Sequence, residues 1–87
     1  MVEITLLTMP DCKLCNHAKA VLERVVKDYE LAIEELASQS AQGKQMMIEH
    51  RIAFLPGVFI DGRLFSYGRL SERKLRRKLE RSGCAIR

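Results

Sequence analysis

The chain has 87 residues, of which 47% are hydrophobic and 30% charged, and its net charge is +4. This length predicts a single domain over residues 1–87 with one core, and no apolar run approaches the roughly 20 residues of a membrane-spanning helix. Three cysteines leave one unpaired in any disulfide framework, and residues 1–9 lack the basic start and cleavage site of a signal peptide, so we expect a cytoplasmic protein in a reducing compartment.

The first half of the chain predicts a strand, a helix and a second strand. Residues 2–8 (VEITLLT) carry apolar groups at both parities, as in a strand covered on both faces. A helix is predicted from Cys12 or Lys13, with Asp11 as its N-cap. Its apolar stripe recurs at steps of three and four. That stripe comprises Leu14, Ala18, Val21, Leu22, Val25 and Tyr29. Residues 31–36 (LAIEEL) predict a strand parallel to the first.

A second helix is predicted over residues 40–50, although Gly43 weakens its helical propensity. Its expected buried residues are Ala41, Met47, Ile48 and Ile52. Beyond it, the pair Asp61-Gly62 between two apolar runs indicates a β-hairpin with a two-residue turn, and Pro56 stands just before the first run.

The last element is a helix between Ser71, a good N-cap, and Gly83, a typical stop. Leu75 and Leu79 are four residues apart and are expected to hold it to the sheet. The predicted order is therefore strand, helix, strand, helix, strand, strand, helix. This order favours an α/β fold with one mixed four-stranded sheet flanked by three helices.

Cys12 and Cys15 stand two residues apart at the predicted start of the first helix. Unpaired backbone N–H groups and the helix dipole favour an anion there, and so the thiolate form of Cys12. Lys13 adds a positive charge, and the neighbouring Asp11 opposes it. Cys15, one turn further, is expected to be less accessible yet within reach of the Cys12 sulfur. This arrangement suits a redox pair in which Cys12 attacks a disulfide and Cys15 resolves the mixed disulfide.

The same cysteines also allow a metal site, because His17, His50 and Cys84 offer enough further ligands for tetrahedral zinc. The spacing from Cys15 to His17 is unusual for zinc modules, and a second close pair of ligands is missing. We therefore expect no metal. A non-catalytic binding module, or a small zinc or iron–sulfur carrier, remains the alternative function.

Two segments resemble one known family. Residues 8–15 (TMPDCKLC), between a strand and a helix, are similar to the active-site segment of glutaredoxins and their small relatives in the thioredoxin superfamily. Residues 55–62 (LPGVFIDG) resemble that family's second signature, a proline before a strand that ends in a hairpin. The resemblance covers nearly the whole chain and implies a thioredoxin fold with thiol–disulfide oxidoreductase activity.

The resemblance also implies roles for individual residues. Cys12 would be the nucleophile and Cys15 the resolving thiol. The Leu55–Pro56 bond would be cis and would face the cysteines, with Pro56 shaping the substrate site and the Leu55 backbone pairing with the substrate. The charge of Lys13, and not the resemblance, leads us to expect that Lys13 tunes the thiolate.

The chain departs from the glutaredoxin pattern in three places. The family's proline signature usually has Val before the proline and a polar residue after it, whereas Leu55 and Gly57 stand there in this chain. Lys13-Leu14 replaces the Pro-Tyr of dithiol glutaredoxins, and residues 66–72 (SYGRLSE) carry one glycine and an arginine where that family has a double glycine and acidic residues. A protein disulfide is therefore at least as good a candidate substrate as a glutathione mixed disulfide, and we expect no bound cofactor because the dithiol chemistry requires none. The expected partners of this monomer are protein disulfides and either a reductase or glutathione, the latter as a possible co-substrate.

Residues 63–87 contain nine Lys or Arg residues and two Glu residues, so this segment carries +7 and the first 62 residues carry −3. The simplest interpretation is a solvated helix face, and the alternative is a docking surface for an acidic partner. A nucleic-acid partner is disfavoured, because no aromatic residues are interleaved with the cations and the arginines ring the predicted helix.

Overall fold

A computed structural model describes all residues, 1–87. The elements are β1 (Val2–Thr8), α1 (Lys13–Val25), β2 (Leu31–Ala37), α2 (Ala41–Glu49), β3 (Gly57–Ile60), β4 (Arg63–Tyr67) and α3 (Glu72–Arg81). The four strands form one sheet of order β2-β1-β3-β4, in which β1 and β2 are parallel and the other neighbours antiparallel. This confirms the predicted mixed sheet and three helices. None of the helices combines the length and the apolar character that crossing a membrane requires.

The β3–β4 hairpin forms at the predicted turn. Asp61 and Gly62 both have positive φ angles, 49° and 82°, as a primed two-residue turn requires. The same aspartate ties the hairpin to β1, because its Oδ1 accepts a hydrogen bond from the Glu3 N–H at 2.9 Å and its own N–H donates to the Glu3 carbonyl at 2.8 Å. The turn therefore fixes the register of β3 against β1 and, next to the turn, against β4; between Val58 and Phe59 the register with β4 shifts.

The larger core lies on the sheet face that α1 and α3 cover. It consists of Ile4, Leu6, Ala18, Val21, Leu22, Val25, Tyr29, Leu31, Val58, Ile60, Leu70, Leu75 and Leu79. The predicted stripe of α1 is buried except for Leu14, which is exposed because the first turn of α1 extends past the end of β1. Tyr29 belongs to this core from beyond the end of α1, and its hydroxyl donates to a Glu80 carboxylate oxygen at 3.1 Å.

A smaller cluster of Leu7, Ile52 and Phe59 lies on the opposite face, beneath α2. The burial predicted for Ile52 is confirmed and Met47 is half-buried, but Ala41 and Ile48 are exposed, because α2 turns only part of its apolar surface to the sheet. The buried residue of α2 is Gly43: a Cβ there would overlap the Ala37 carbonyl oxygen and lie 2.9 Å from the Ser38 Cα. Gly43 therefore permits close packing of α2 at the end of β2.

Ion pairs join α1 to α3 around the larger core. Glu72 binds Arg24 at 2.8 Å and Arg76 at 3.0 Å, and Arg76 also reaches Asp28 at 2.7 Å. The hydrogen bonds from Arg24, and then those from Arg76, hold the pKa of Glu72 below its ordinary value. The hydrogen bond with Asp28 contributes most to raising the pKa of Arg76. These charges are thus coupled across two helices.

Candidate active site

One edge of the sheet brings together the two sequence signatures. Leu7, near the end of β1, pairs with Gly57 at the start of β3. The chain leaves β1 towards Cys12 and α1, and it enters β3 from Pro56. The antiparallel register therefore places the cysteine segment and the proline segment at the same edge.

The two cysteines are bonded to each other in a disulfide, with their Cα atoms 5.2 Å apart. Cys12 is the N-cap of α1: its backbone is extended, and its sulfur accepts a hydrogen bond from the Cys15 N–H at 3.1 Å. The prediction of Asp11 as N-cap is wrong. Asp11 has a positive φ of 54°, and the helix begins one residue later than an Asp11 cap would place it. The Cys12 sulfur, and not the Asp11 carboxylate, therefore accepts the hydrogen bond from the free Cys15 N–H in the first turn.

The two sulfurs differ in accessibility. Cys12 is partly exposed, whereas Cys15 is 1% exposed and packed beneath the first turn of α1. An incoming thiol or disulfide therefore has access to Cys12 and is excluded from Cys15. Lys13 between them is exposed, which places its charge in solvent at the same helix end.

The proline segment presents unpaired backbone at this edge. The Leu55–Pro56 bond is cis, as the resemblance implies. Pro56 is buried, and its carbonyl accepts a hydrogen bond from the Gly68 N–H at 2.9 Å. Leu55 is half-buried, and neither its N–H nor its C=O makes a hydrogen bond within the chain. An extended segment of another molecule can pair with these two groups.

Exposed apolar side chains border the same edge. We call the set Met9, Leu14, Phe54 and Tyr67 the apolar rim; all four are among the exposed large hydrophobic residues of the chain. Met9 follows β1, Leu14 lies between the cysteines, Phe54 precedes the proline by two residues, and Tyr67 pairs with Gly57. Met9, Leu14 and Phe54 were not predicted as site residues, although they flank or lie within the motifs, and Leu14 was expected in the buried stripe of α1.

The remaining candidate ligands lie apart. His50 packs edge-on against Phe59 with ring centroids 4.9 Å apart, Cys84 is unpaired and lies against the Glu30 carbonyl, and His17 faces the loop before α3. The Nδ1 atom of His17 is buried without a hydrogen-bond partner. No group of three or more His, Cys, Asp or Glu side chains is placed to hold a metal ion.

A polar contact between Thr8, Glu35 and Lys19 lies at the same end of the sheet as the disulfide. Thr8, 5% exposed, donates its hydroxyl to Glu35, which also binds the Lys19 ammonium at 2.9 Å. The hydrogen bond from Lys19 is the largest cause that lowers the pKa of Glu35, against the opposing effect of burial. The contact connects β1, β2 and α1 at the edge that carries the disulfide.

Comparisons with known proteins agree with this geometry. A family model described as a thioredoxin domain matches residues 2–80. A thioredoxin from Plasmodium falciparum is 14% identical, with 99% of this chain and 74% of that chain covered and a TM-score of 0.64. A mutant thioredoxin from Halobacterium salinarum is 17% identical, with coverages of 92% and 73% and a TM-score of 0.69. Glutaredoxin 1 from Francisella tularensis, complexed with cacodylate, is 15% identical, with coverages of 94% and 96% and a TM-score of 0.58. No curated protein sequence matches. At these identities the structural likeness establishes the thioredoxin fold alone.

Proposed function

The chain belongs to the thioredoxin-domain family, and we propose that it is a dithiol–disulfide oxidoreductase that reduces disulfides in other proteins. The family fold with a close cysteine pair supports thiol–disulfide chemistry in general. The observation that carries the proposal is the asymmetry of the pair: an accessible Cys12 caps a helix and is bonded to a buried Cys15.

The proposed reaction has two thiol–disulfide exchanges. The Cys12 thiolate attacks one sulfur of a substrate disulfide, forms a mixed disulfide and expels the other substrate sulfur as a thiolate. The Cys15 thiolate then attacks the Cys12 sulfur and releases the second substrate thiol. The substrate gains two electrons and two protons, and the protein ends as the Cys12–Cys15 disulfide. A reductase or glutathione supplies two electrons to restore the dithiol.

The chain's own groups favour the first step. The Cys15 N–H that reaches the Cys12 sulfur at 3.1 Å also stabilises a thiolate there, together with the dipole at the start of α1. The exposed Lys13 adds attraction for the anion. No metal or organic cofactor takes part in this scheme.

The surroundings favour a protein substrate over glutathione. The free N–H and C=O of Leu55, beside Pro56, suit an extended peptide. The apolar rim offers it hydrophobic contacts on several sides. Residues 66–72 lack the double glycine with which glutaredoxins hold glutathione, and Arg69 stands in the stretch where that family has acidic residues.

Insulin reduction, driven by either a thioredoxin reductase or glutathione, tests the proposed chemistry. Cys12→Ser abolishes turnover, whereas Cys15→Ser traps a mixed disulfide with the substrate that mass spectrometry detects. Cys84→Ser is the matched control, because it removes the unpaired cysteine and leaves turnover unchanged. Full activity of Cys12→Ser overturns the assignment of the nucleophile.

A second variant pair tests the substrate class. Phe54→Ser in the apolar rim lowers kcat/KM for a protein disulfide about fivefold, as expected for an interface residue worth about 1 kcal/mol. Ile48→Ser removes an equally exposed apolar side chain from α2 and has no effect. A faster reaction with a glutathione mixed disulfide than with insulin, unchanged by Phe54→Ser, contradicts the protein-substrate assignment.

A further inference from the structure

Helix α3 divides its charged residues into two sets. Both of its carboxylates have partners on other parts of the chain: Glu72 binds Arg24 as well as Arg76, and the exposed Glu80 accepts a hydrogen bond from the Tyr29 hydroxyl. Arg76 is half-buried and also pairs with Asp28. All the anionic groups of α3, and one of its cations, are thus used within the chain.

The other cations form one exposed surface, which we call the basic ridge. It consists of Arg73, Lys74, Arg77, Lys78 and Arg81, all exposed and none in an ion pair. At 3.6 residues per turn these positions share an arc of about 140°, which lies away from the buried Leu75 and Leu79. The sequence-based expectation that the arginines ring the helix is therefore wrong, because Arg76 pairs inward.

Repulsion between the charges of the basic ridge destabilises the protein when no partner is bound. Arg73 and Arg77, Lys74 and Lys78, and Arg77 and Arg81 are like-charged pairs four residues apart. Each such pair destabilises a helix, and no carboxylate of the chain forms an ion pair with any of them. A binding partner that brings carboxylates would relieve this repulsion.

We propose that the basic ridge is a docking surface for an acidic protein. A lipid bilayer is the weaker candidate, because interfacial helices insert apolar side chains, whereas the apolar residues of α3 are buried in the core and only charge attraction would remain. A long polyanion also fits poorly. The ridge spans about 12 Å of helix, whereas duplex DNA carries a charge every ~1.7 Å and extends well beyond that length. The first 62 residues of the chain carry −3, so they add no net positive charge with which to bind the rest of the DNA. A protein with a few carboxylates matches the ridge alone.

The start of the basic ridge lies near helix α1. Arg69 and Ser71, just before α3, line one cleft with His17 of α1. His17 is two residues beyond Cys15. The cleft ends at Glu72, one residue before Arg73, so the start of the ridge lies next to the helix that carries the disulfide. The docking inference itself does not depend on the proposed thiol chemistry.

Fluorescence anisotropy with three labelled probes tests the inference on the full chain. The probes are a polyglutamate peptide, a duplex DNA of equal charge, and vesicles that contain anionic phospholipid. We expect binding to polyglutamate that weakens with salt. Lys74→Gln/Lys78→Gln raises its Kd about tenfold, or about 1.4 kcal/mol. The control Lys27→Gln/Lys44→Gln removes the same charge from exposed sites outside the ridge and leaves the Kd unchanged.

Each other result overturns the inference. Equal weakening by both double variants shows attraction by net charge alone, and absence of polyglutamate binding at low salt shows a solvated helix face. Tighter binding of DNA or of vesicles than of polyglutamate assigns the ridge to those partners instead. Thermal unfolding verifies folding, and the ridge variant gains stability because its like-charge repulsion is reduced.

Discussion

The two faces of the sheet are built differently. On one face, α1 and α3 cover thirteen buried residues and are joined by the Arg24–Glu72–Arg76–Asp28 ion pairs. On the other face, α2 covers three buried residues and leaves Ile48 exposed to solvent. Because the free energy of folding follows buried apolar area, the face of α1 and α3 contributes most of the stability and the smaller cluster on the face of α2 contributes less.

The candidate active site combines both faces. The cysteine pair stands on α1, which belongs to the well-packed face, so its sulfurs are held in a fixed position. Pro56 follows a segment that leaves α2 and is anchored by Ile52 in the small cluster. The nucleophile therefore has a rigid support, whereas the segment that receives the substrate has a weaker one.

The largest expected effect comes from truncation on the well-packed face. Leu75→Ala removes a fully buried side chain and lowers the free energy of unfolding by about 2–5 kcal/mol. Met47→Ala on the α2 face truncates a half-buried side chain and costs less than about 2 kcal/mol. Urea unfolding of both variants measures the difference. Equal losses would contradict the division between the two faces.

Much of the fold was predictable because its signals are local. The Asp61-Gly62 turn, the Ser71 cap and the Gly83 stop each depend on a few neighbouring residues, and all three occur as predicted. The position of the cysteine pair at the start of a helix was predictable for the same reason, because it also depends on neighbouring residues. Its nearness to Pro56 depends on strand pairing 50 residues apart, so only the resemblance to a family could supply it.

The wrong predictions share a physical cause. Periodicity identifies an apolar stripe but does not show where the sheet ends, so Leu14 and Ile48 were expected to be buried. Gly43 was interpreted as a weakness of α2, since its close contact with Ala37 is a tertiary feature. Asp11 and Cys12 are both possible caps, and the backbone angle of Asp11 decides between them.

The next effect tests the contact that places α2. Gly43→Ala would raise helix propensity by about 1 kcal/mol, yet its Cβ would overlap the Ala37 carbonyl. We therefore expect a net loss of about 1–3 kcal/mol, as for other overpacked sites. The exposed Gln42→Ala in the same helix is the control and causes no loss. A gain in stability by Gly43→Ala, measured by urea unfolding, would show that α2 moves away from β2 without cost.

A smaller effect concerns the ion pairs of the well-packed face. Because the pKa of Glu72 is lowered in the folded protein, its stabilising contribution is complete above the ordinary glutamate pKa of about 4.3 and is lost as the pH falls through the lowered value. Glu72→Gln therefore lowers the Tm at pH 7, and its Tm converges with that of the wild type in acid.

Thermal unfolding between neutral and acidic pH measures this convergence. Glu23→Gln is the control, since Glu23 is an exposed carboxylate of α1 without an ion pair, and its curve should parallel that of the wild type. A constant difference between Glu72→Gln and the wild type at every pH would show that the loss is one of packing rather than of charge.

The smallest expected effect concerns the C-terminal ends of α2 and α3. Both ends are capped by the same pattern of two backbone hydrogen bonds. In α3 the left-handed position is Gly83, with the Cys84 N–H bound to the Leu79 carbonyl. In α2 the corresponding residue is Arg51, with a φ of 51° and the Ile52 N–H bound to the Met47 carbonyl.

An arginine in this conformation carries a steric cost that glycine avoids, so Arg51→Gly should raise the free energy of unfolding by up to about 1 kcal/mol. Lys44→Gly, in the right-handed interior of the same helix, should lower it by about 1 kcal/mol. Urea unfolding compares the two variants with the wild type. If both glycines destabilise the protein equally, the Arg51 side chain contributes a contact worth more than the backbone strain, and the end of α2 is better supported than its sparse core indicates.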